Sequence, residues 1–114
     1  MSDSSKALHW GDDDFAANVK KASEEGKPVF VDFYADWCGP CQMAAPIVDK
    51  LAGVYEDKAY IVKVNVDENN QTAAKYGVMS IPTVVILKDA EVLDKKVGFP
   101  GEKGYVDMLE KALE

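Results

Sequence analysis

Hydrophobic positions along the chain alternate between short continuous runs and a spacing of three to four residues, the pattern of strands that alternate with helices. The runs are rich in branched and aromatic residues, as buried strands are. They predict strands at 29–34, 60–66, 82–87 and 92–97, and a weaker pattern predicts a short edge strand at 6–10.

The helical spacing predicts four helices. Asp12 is the expected N-cap of the first, with acidic residues in its first turn, and Gly26 is its expected end. The second helix runs from about 38 to 55 and contains Pro46, which should kink its axis. Its helical spacing is carried by Met43, Ile47, Leu51 and Tyr55. A short third helix ends at Gly77, and the last helix carries Tyr105, Met108, Leu109, Ala112 and Leu113 inward.

The resulting order is β-α-β-α-β-α-β-β-α, which predicts an α/β fold. We expect a central mixed sheet in which three parallel strands are joined by an antiparallel C-terminal hairpin, flanked by four helices. A chain of 114 residues is expected to form a single domain over residues 1–114. The small polar residues at 1–5 are expected to be disordered.

Charge and composition narrow the class of protein. The chain has 20 acidic and 13 basic residues, a net charge of -7, which disfavours nucleic acid as a partner because phosphate groups are repelled. No apolar stretch approaches the roughly 18 residues of a membrane span, and the first ten residues lack the pattern of a signal peptide. We therefore expect a cytoplasmic protein with no membrane partner.

Cys38 and Cys41 are the chain's only cysteines and stand where the second helix begins. A thiolate is the attacking species in disulfide exchange, and a helix start favours it through unpaired N–H groups and the helix dipole. We therefore expect Cys38 to attack a disulfide, and Cys41, one turn further in and more buried, to resolve the mixed disulfide.

Two other interpretations of the cysteine pair remain. A purely structural disulfide closing so short a loop would remove only about 2 kcal/mol of chain entropy, against almost 5 kcal/mol for a long loop. A zinc site would need two further ligands, and the single histidine, His9, is distant in sequence. Redox chemistry is the favoured interpretation, with no metal.

Asp32 interrupts the apolar run that precedes the cysteines. A buried carboxylate must be paired or raised in pKa, and such a group could accept the proton of Cys41. Lys63 interrupts the next predicted strand, and it would be the partner of Asp32 if the two strands are neighbours. The alternative is a tolerated polar residue near a strand end.

The segment 37–41, WCGPC, closely resembles the active-site motif of the thioredoxin family. The similarity covers about residues 8 to 113. It includes VDFYADWCGPC, Pro46, the segment KVNVDEN, Ile81-Pro82-Thr83 and Val97-Gly98. It implies a thioredoxin fold with a cis peptide bond at Ile81–Pro82, and it places Asp32 beneath Cys41 with Lys63 nearby. The implied docking surface consists of Trp37, Gly39, Pro40, Ile81, Pro82 and Gly98.

The chain departs from the family pattern at three places. Gln42 stands where a basic residue is common, and Ser80 stands where glycine is frequent. Asp89 and Ala90 replace the usual Asn-Gly hairpin turn, and Ala would be strained there at positive φ.

The resemblance implies a general protein disulfide reductant that is a monomer and binds no cofactor. Its electrons would come from NADPH through a separate flavin-dependent thioredoxin reductase, and its substrates would be proteins that contain disulfides. One alternative is a dedicated electron carrier for a single partner. Another is a rigid binding module whose thiols are incidental.

Overall fold

The computed structural model describes residues 7–114, so the expected disorder at 1–5 and the first residue of the predicted edge strand lie outside the described residues. The strands are β1 (Leu8–His9), β2 (Val29–Tyr34), β3 (Tyr60–Asn65), β4 (Thr83–Lys88) and β5 (Glu91–Val97). The helices are α1 (Phe15–Glu24), α2 (Gly39–Val54), α3 (Asn70–Lys75) and α4 (Glu102–Ala112). The predicted order of elements is confirmed.

The five strands form one sheet in the order β1-β3-β2-β4-β5. Strands β1, β3 and β2 are parallel, whereas β4 and β5 are antiparallel additions. The predicted combination of three parallel strands and a C-terminal hairpin is therefore confirmed. β2 lies at the centre, which explains why its sequence is almost continuously apolar.

The two faces of the sheet carry separate hydrophobic cores. Val29, Val31 and Phe33 of β2 pack with α1 and α3. Phe30 points to the opposite face and packs with α2 and α4. Because side chains alternate along a strand, Asp32 shares the face of Phe30 and lies on the side of α2 and α4.

Asp12 is not the N-cap of α1, contrary to the prediction. The N-cap is Asp14, and Asp12 lies in the preceding turn. The carboxylate of Asp12 instead accepts hydrogen bonds from the backbone N–H of Thr72 at 2.8 Å, the Thr72 hydroxyl at 2.6 Å and the Gln71 N–H at 3.3 Å. Asp12 thus satisfies free N–H groups in the first turn of α3, a helix distant in sequence.

Glycines end two of the helices as predicted. Gly26 follows α1 with φ 73° and Gly77 follows α3 with φ 65°, a left-handed conformation that glycine adopts without strain. The hairpin turn between β4 and β5 is different, because Asp89 and Ala90 have φ of 54° and 66°. The predicted strain at Ala90 is therefore present.

Of the four residues that carry the predicted spacing of α2, Leu51 and Tyr55 are buried and Ile47 packs against the core, whereas Met43 does not. Met43 is 68% exposed, and the buried residues of the helix are Cys41, Ala44, Val48 and Leu51. The helix continues through Pro46 to Val54.

No helix within residues 7–114 combines the length and the apolar composition that crossing a membrane requires.

Candidate active site

The cysteine pair lies where β2 leads into α2. Cys38 is the N-cap of α2, in an extended conformation, and is joined to Cys41 by a disulfide with a Cα–Cα distance of 5.2 Å. The backbone N–H of Cys41 donates to Cys38 Sγ at 3.2 Å. The sulfur of Cys38 thus receives one of the N–H groups that a helix start leaves unpaired, an arrangement that stabilises negative charge.

Gly39 and Pro40 form the first turn of α2 between the cysteines. Proline fits this position because its missing N–H would have no partner in the helix. The two cysteines are almost equally buried, with exposures of 5% for Cys38 and 4% for Cys41. Exposure therefore does not separate them, contrary to the expectation that Cys41 is clearly more buried. The two cysteines differ instead in their position, because Cys38 is the N-cap of α2 and Cys41 lies inside the helix.

Asp32 is fully buried, with 0% exposure, and neither carboxylate oxygen has a hydrogen-bond partner within the described protein. Burial raises the pKa of Asp32 to about 7, opposed by the positive charge of Lys63 and assisted by the negative charge of Asp49. A carboxyl group with this pKa exchanges a proton near neutral pH, as an acid–base group requires.

Lys63 is the register neighbour of Asp32 across the β2–β3 pair, so the predicted adjacency of the strands is confirmed. The predicted ion pair does not form: within residues 7–114 the structure has no salt bridge between the two. The Lys63 ammonium lies over the ring of Tyr34, 4.3 Å from its centroid. The face of the Tyr34 ring attracts the ammonium electrostatically and so supplies Lys63 with a partner.

The segment before β4 approaches the cysteines from another part of the chain. The Ile81–Pro82 peptide bond is cis, as the resemblance implied. The carbonyl oxygen of Ile81 lies 3.7 Å from Cys38 Sγ. The Gly98 N–H donates to the Pro82 carbonyl at 2.7 Å, which holds the end of β5 beside this turn.

Trp37 is 70% exposed beside the cysteines. Its indole Nε1–H donates to the carboxylate of Asp67 at 2.8 Å, so the ring is held although most of it faces solvent. A groove of about 410 Å³ lies next to it, lined by Trp37, Val66, Ala73, Val78, Met79, Ser80 and Ile81. The lining is mainly apolar, which suits the side chains of a bound polypeptide.

The fold thus brings together residues that lie far apart in sequence. Cys38, Cys41 and the Ile81–Pro82 turn meet directly, and Gly98 joins them through Pro82. The side chain of Gln42 donates to the carbonyl of Asp36 at 2.8 Å.

Sequence reasoning missed the roles of two residues at the site and of one residue in the core on the Asp32 side of the sheet. Asp67, which the sequence analysis included only in the segment KVNVDEN, accepts the hydrogen bond that holds Trp37. Met79, with 95% exposure, lines the groove. Tyr105, predicted only to face inward, has a buried hydroxyl with no partner within the described protein. The one available signal was chemical: an inward-facing tyrosine must place its hydroxyl somewhere.

Comparison with known proteins gives a consistent result. The family model described as Thioredoxin matches residues 6–111. A thioredoxin of Staphylococcus epidermidis is 48% identical over 102 residues, covering 90% of this chain and 93% of that protein. A thioredoxin of Staphylococcus saprophyticus is 54% identical over 83 residues, covering 73% and 80%.

The fold is also that of a solved relative. The structure of a mutant thioredoxin from Halobacterium salinarum NRC-1 matches with a TM-score of 0.82 and 34% identity, and covers 100% of this chain and 96% of that one. With a disulfide of the Cys-x-x-Cys type at a helix start, the chain has the group that performs thiol–disulfide exchange. The chain belongs to the thioredoxin family and is a protein disulfide oxidoreductase.

Proposed function

We propose that the chain acts as a general protein disulfide reductant, with Cys38 as the attacking residue and Cys41 as the resolving residue. The observation that carries this assignment is the position of Cys38 as the N-cap of α2, where its sulfur accepts the Cys41 N–H. That N–H and the helix dipole favour the thiolate of Cys38 after reduction of the disulfide.

The reaction proceeds in two exchanges. The Cys38 thiolate attacks a substrate disulfide, an S–S bond forms between Cys38 and the substrate, and the first substrate sulfur leaves as a thiolate. Cys41 then loses its proton and attacks Cys38, which releases the second substrate thiolate and forms the Cys38–Cys41 disulfide. Two electrons pass to the substrate, whose thiolates take up two protons.

Asp32 is the proposed acceptor of the Cys41 proton. It lies on the strand that leads into the motif and on the side of the sheet covered by α2, and its pKa of about 7 suits proton exchange at neutral pH. Lys63, the register neighbour of Asp32, is proposed to favour the ionised carboxylate through its positive charge. Lys63 acts here as an electrostatic neighbour rather than as an ion-pair partner.

The proposed docking surface surrounds Cys38. It consists of Trp37, Gly39, Pro40, Ile81, Pro82 and Gly98. The exposed indole of Trp37 and the apolar groove beside it would receive side chains of the substrate, and the cis turn would offer backbone groups to its main chain. The Cys38 sulfur, within 3.7 Å of the Ile81 carbonyl, would then lie next to the bound segment.

The oxidised chain needs a source of electrons. We propose a separate flavin-dependent thioredoxin reductase that draws on NADPH, with no cofactor bound to this chain. A reductant of this kind works where thiols stay reduced, so we propose that the protein is cytoplasmic. We also propose that it acts as a monomer.

The test is capture of substrates. A Cys41→Ser variant should accumulate mixed disulfides with protein substrates through Cys38, whereas the matched Cys38→Ser variant should accumulate none. Cys38→Ser should also abolish reduction of insulin disulfides. Unchanged insulin reduction by Cys38→Ser would refute the mechanism. Absence of trapped proteins from Cys41→Ser, together with retained biological activity, would favour a binding module instead.

A further inference from the structure

Three buried side-chain oxygens in residues 7–114 have no hydrogen-bond partner within the protein: Oδ1 and Oδ2 of Asp32 and the hydroxyl of Tyr105. Both residues are 0% exposed. An unpaired buried polar group destabilises the folded state, and a charged one destabilises it more. Two such residues in one small core therefore call for a shared explanation.

The two residues lie in the same part of the core. Phe30 and Asp32 stand two positions apart on one face of β2, and the Tyr105 ring packs edge-on against Phe30 with 5.1 Å between ring centroids. Burial, followed by the negative charge of Asp32, raises the pKa of Tyr105, so the charge of Asp32 reaches the phenol. Within the described part of the chain, no direct hydrogen bond joins the two groups.

The chemistry of the two groups is complementary. An ionised carboxylate only accepts hydrogen bonds, whereas a phenol with a raised pKa keeps its proton and donates. A single water molecule between them can accept from the phenol and donate to the carboxylate, which satisfies both groups. Buried waters in proteins typically hold this kind of position, with about three hydrogen bonds to otherwise unpaired polar groups.

We propose that Tyr105 is a positioning residue for proton transfer, whose hydroxyl donates through one buried water to the carboxylate of Asp32. This inference rests on the proposed role of Asp32 as the proton acceptor. When the Cys41 proton reaches Asp32, the new carboxylic acid donates to the water, and the water keeps accepting from the Tyr105 O–H on its second lone pair. Only the hydrogen bond between the water and Asp32 reverses its direction, no heavy atom has to move, and the Tyr105 hydroxyl keeps its acceptor in both protonation states.

Other charged or titratable groups also face Asp32 and influence its pKa. They are Lys63 from β3, Asp49 from α2 and Tyr34 from β2, and reduction of the disulfide would add two titratable thiols at the start of α2. From β4 the register neighbour of Asp32 is the apolar Val84. The contribution of Tyr105 must therefore be measured with the cysteines oxidised, so that no thiol titrates in the same range.

The experiment replaces only the phenol oxygen. In oxidised protein, the side-chain carboxyl of ¹³C-labelled Asp32 is titrated by NMR in the unaltered chain, in Tyr105→Phe and in the matched control Tyr55→Phe. Tyr55 belongs to the same core, but its hydroxyl donates to Glu110 at 2.7 Å. We expect Tyr105→Phe to raise the titration midpoint of Asp32 by about half to one pH unit, since the ionised form loses a donor, and Tyr55→Phe to leave it unchanged.

A midpoint that is unchanged or lowered in Tyr105→Phe would overturn the proposal, as would an equal shift in Tyr55→Phe. A second measurement needs no variant. In the unaltered protein the Tyr105 hydroxyl proton should exchange slowly and show a cross-peak to a long-lived water, and exchange as fast as that of an exposed phenol would overturn the proposal.

Turnover then separates this inference from the proposed function. If insulin reduction by Asp32→Asn follows the same pH profile as the unaltered chain, Asp32 is not the proton acceptor, yet the NMR midpoint still reports its link to Tyr105. If Asp32→Asn alters the profile, Tyr105→Phe should move the same inflection in the direction of the NMR shift.

Discussion

Replacing Asp32 by asparagine should stabilise the folded protein, and the gain should grow as pH rises. The side chain is fully buried without a protein partner, and its pKa is raised to about 7 from the ordinary 3.8. Between these two values the folded state holds the proton while the unfolded state has released it. Stability therefore falls as pH rises through this range and is constant above it.

The magnitude follows from the difference in pKa. About three units at about 1.4 kcal/mol each give a cost of about 4 kcal/mol for ionised Asp32 above pH 8, and no cost well below pH 4. Asparagine has nearly the same shape and does not titrate. Between pH 5 and pH 8 the stability of Asp32→Asn relative to the unaltered chain should therefore rise by about 2–3 kcal/mol.

The assay is urea unfolding of the oxidised proteins at pH 5, 6, 7 and 8, followed by tryptophan fluorescence, because Trp10 is buried with 8% exposure and reports unfolding. Asp107→Asn is the matched surface control, since Asp107 is 62% exposed and pairs with Lys103 four residues away. Its effect should stay below about 0.5 kcal/mol.

A stability difference between Asp32→Asn and the unaltered chain that stays the same from pH 5 to pH 8 would refute the reasoning. It would mean that the carboxylate is solvated in the folded state and that its pKa is ordinary. A difference that shrinks as pH rises would indicate a carboxylate stabilised by a partner, as in an ion pair with Lys63.

Three further changes test the packing and the local geometry by the same unfolding assay. Ala90→Gly should stabilise the chain by about 0.5–1 kcal/mol, because Ala90 has φ 66° in the hairpin turn, and an unchanged or lower midpoint would contradict this. Leu51→Ala should cost about 2–5 kcal/mol, since Leu51 is 1% exposed in the core under α2, and a cost below about 1 kcal/mol would mean that the site collapses without a cavity. Asp12→Ala should lower stability at neutral pH and speed amide exchange at Thr72, because it removes the acceptor of the Thr72 N–H and hydroxyl. The pKa of Asp12 is lowered by these bonds, so the loss should fade as pH falls through that pKa, and a loss that persists in strong acid would contradict the capping role.

Local patterns predicted most of the fold. β2 and α2 lie within a residue or so of the positions that their apolar spacing indicated, and glycines at 26 and 77 end their helices as expected. These features depend on residues close together in sequence: side-chain periodicity, left-handed glycine and the missing N–H of proline. The strained turn at Ala90 was predictable for the same reason.

The errors concern contacts between distant segments. Asp12 has the sequence signature of an N-cap, but its carboxylate accepts hydrogen bonds at the start of α3, and the N-cap of α1 is Asp14. Met43 fits the spacing of α2 but lies just outside the stripe that faces the sheet. The polar positions in two apolar strands predicted that Lys63 is the partner of Asp32. The two residues are in register, as predicted, but the Lys63 ammonium lies over the Tyr34 ring.

The sequence by itself determined the chemistry of the protein: two thiols at a helix start, behind a strand that carries one buried acid. Only the tertiary structure decided what surrounds them, namely the Ile81 carbonyl beside Cys38, Asp67 holding Trp37, and Tyr105 in the core against Phe30. The contacts between these side chains depend on the order and register of strands that are far apart in sequence. They also depend on which face of the sheet each helix covers. Cys38 and Cys41 supply the reactive pair, and the tertiary structure places the cis turn beside it, anchors Trp37 and buries Asp32.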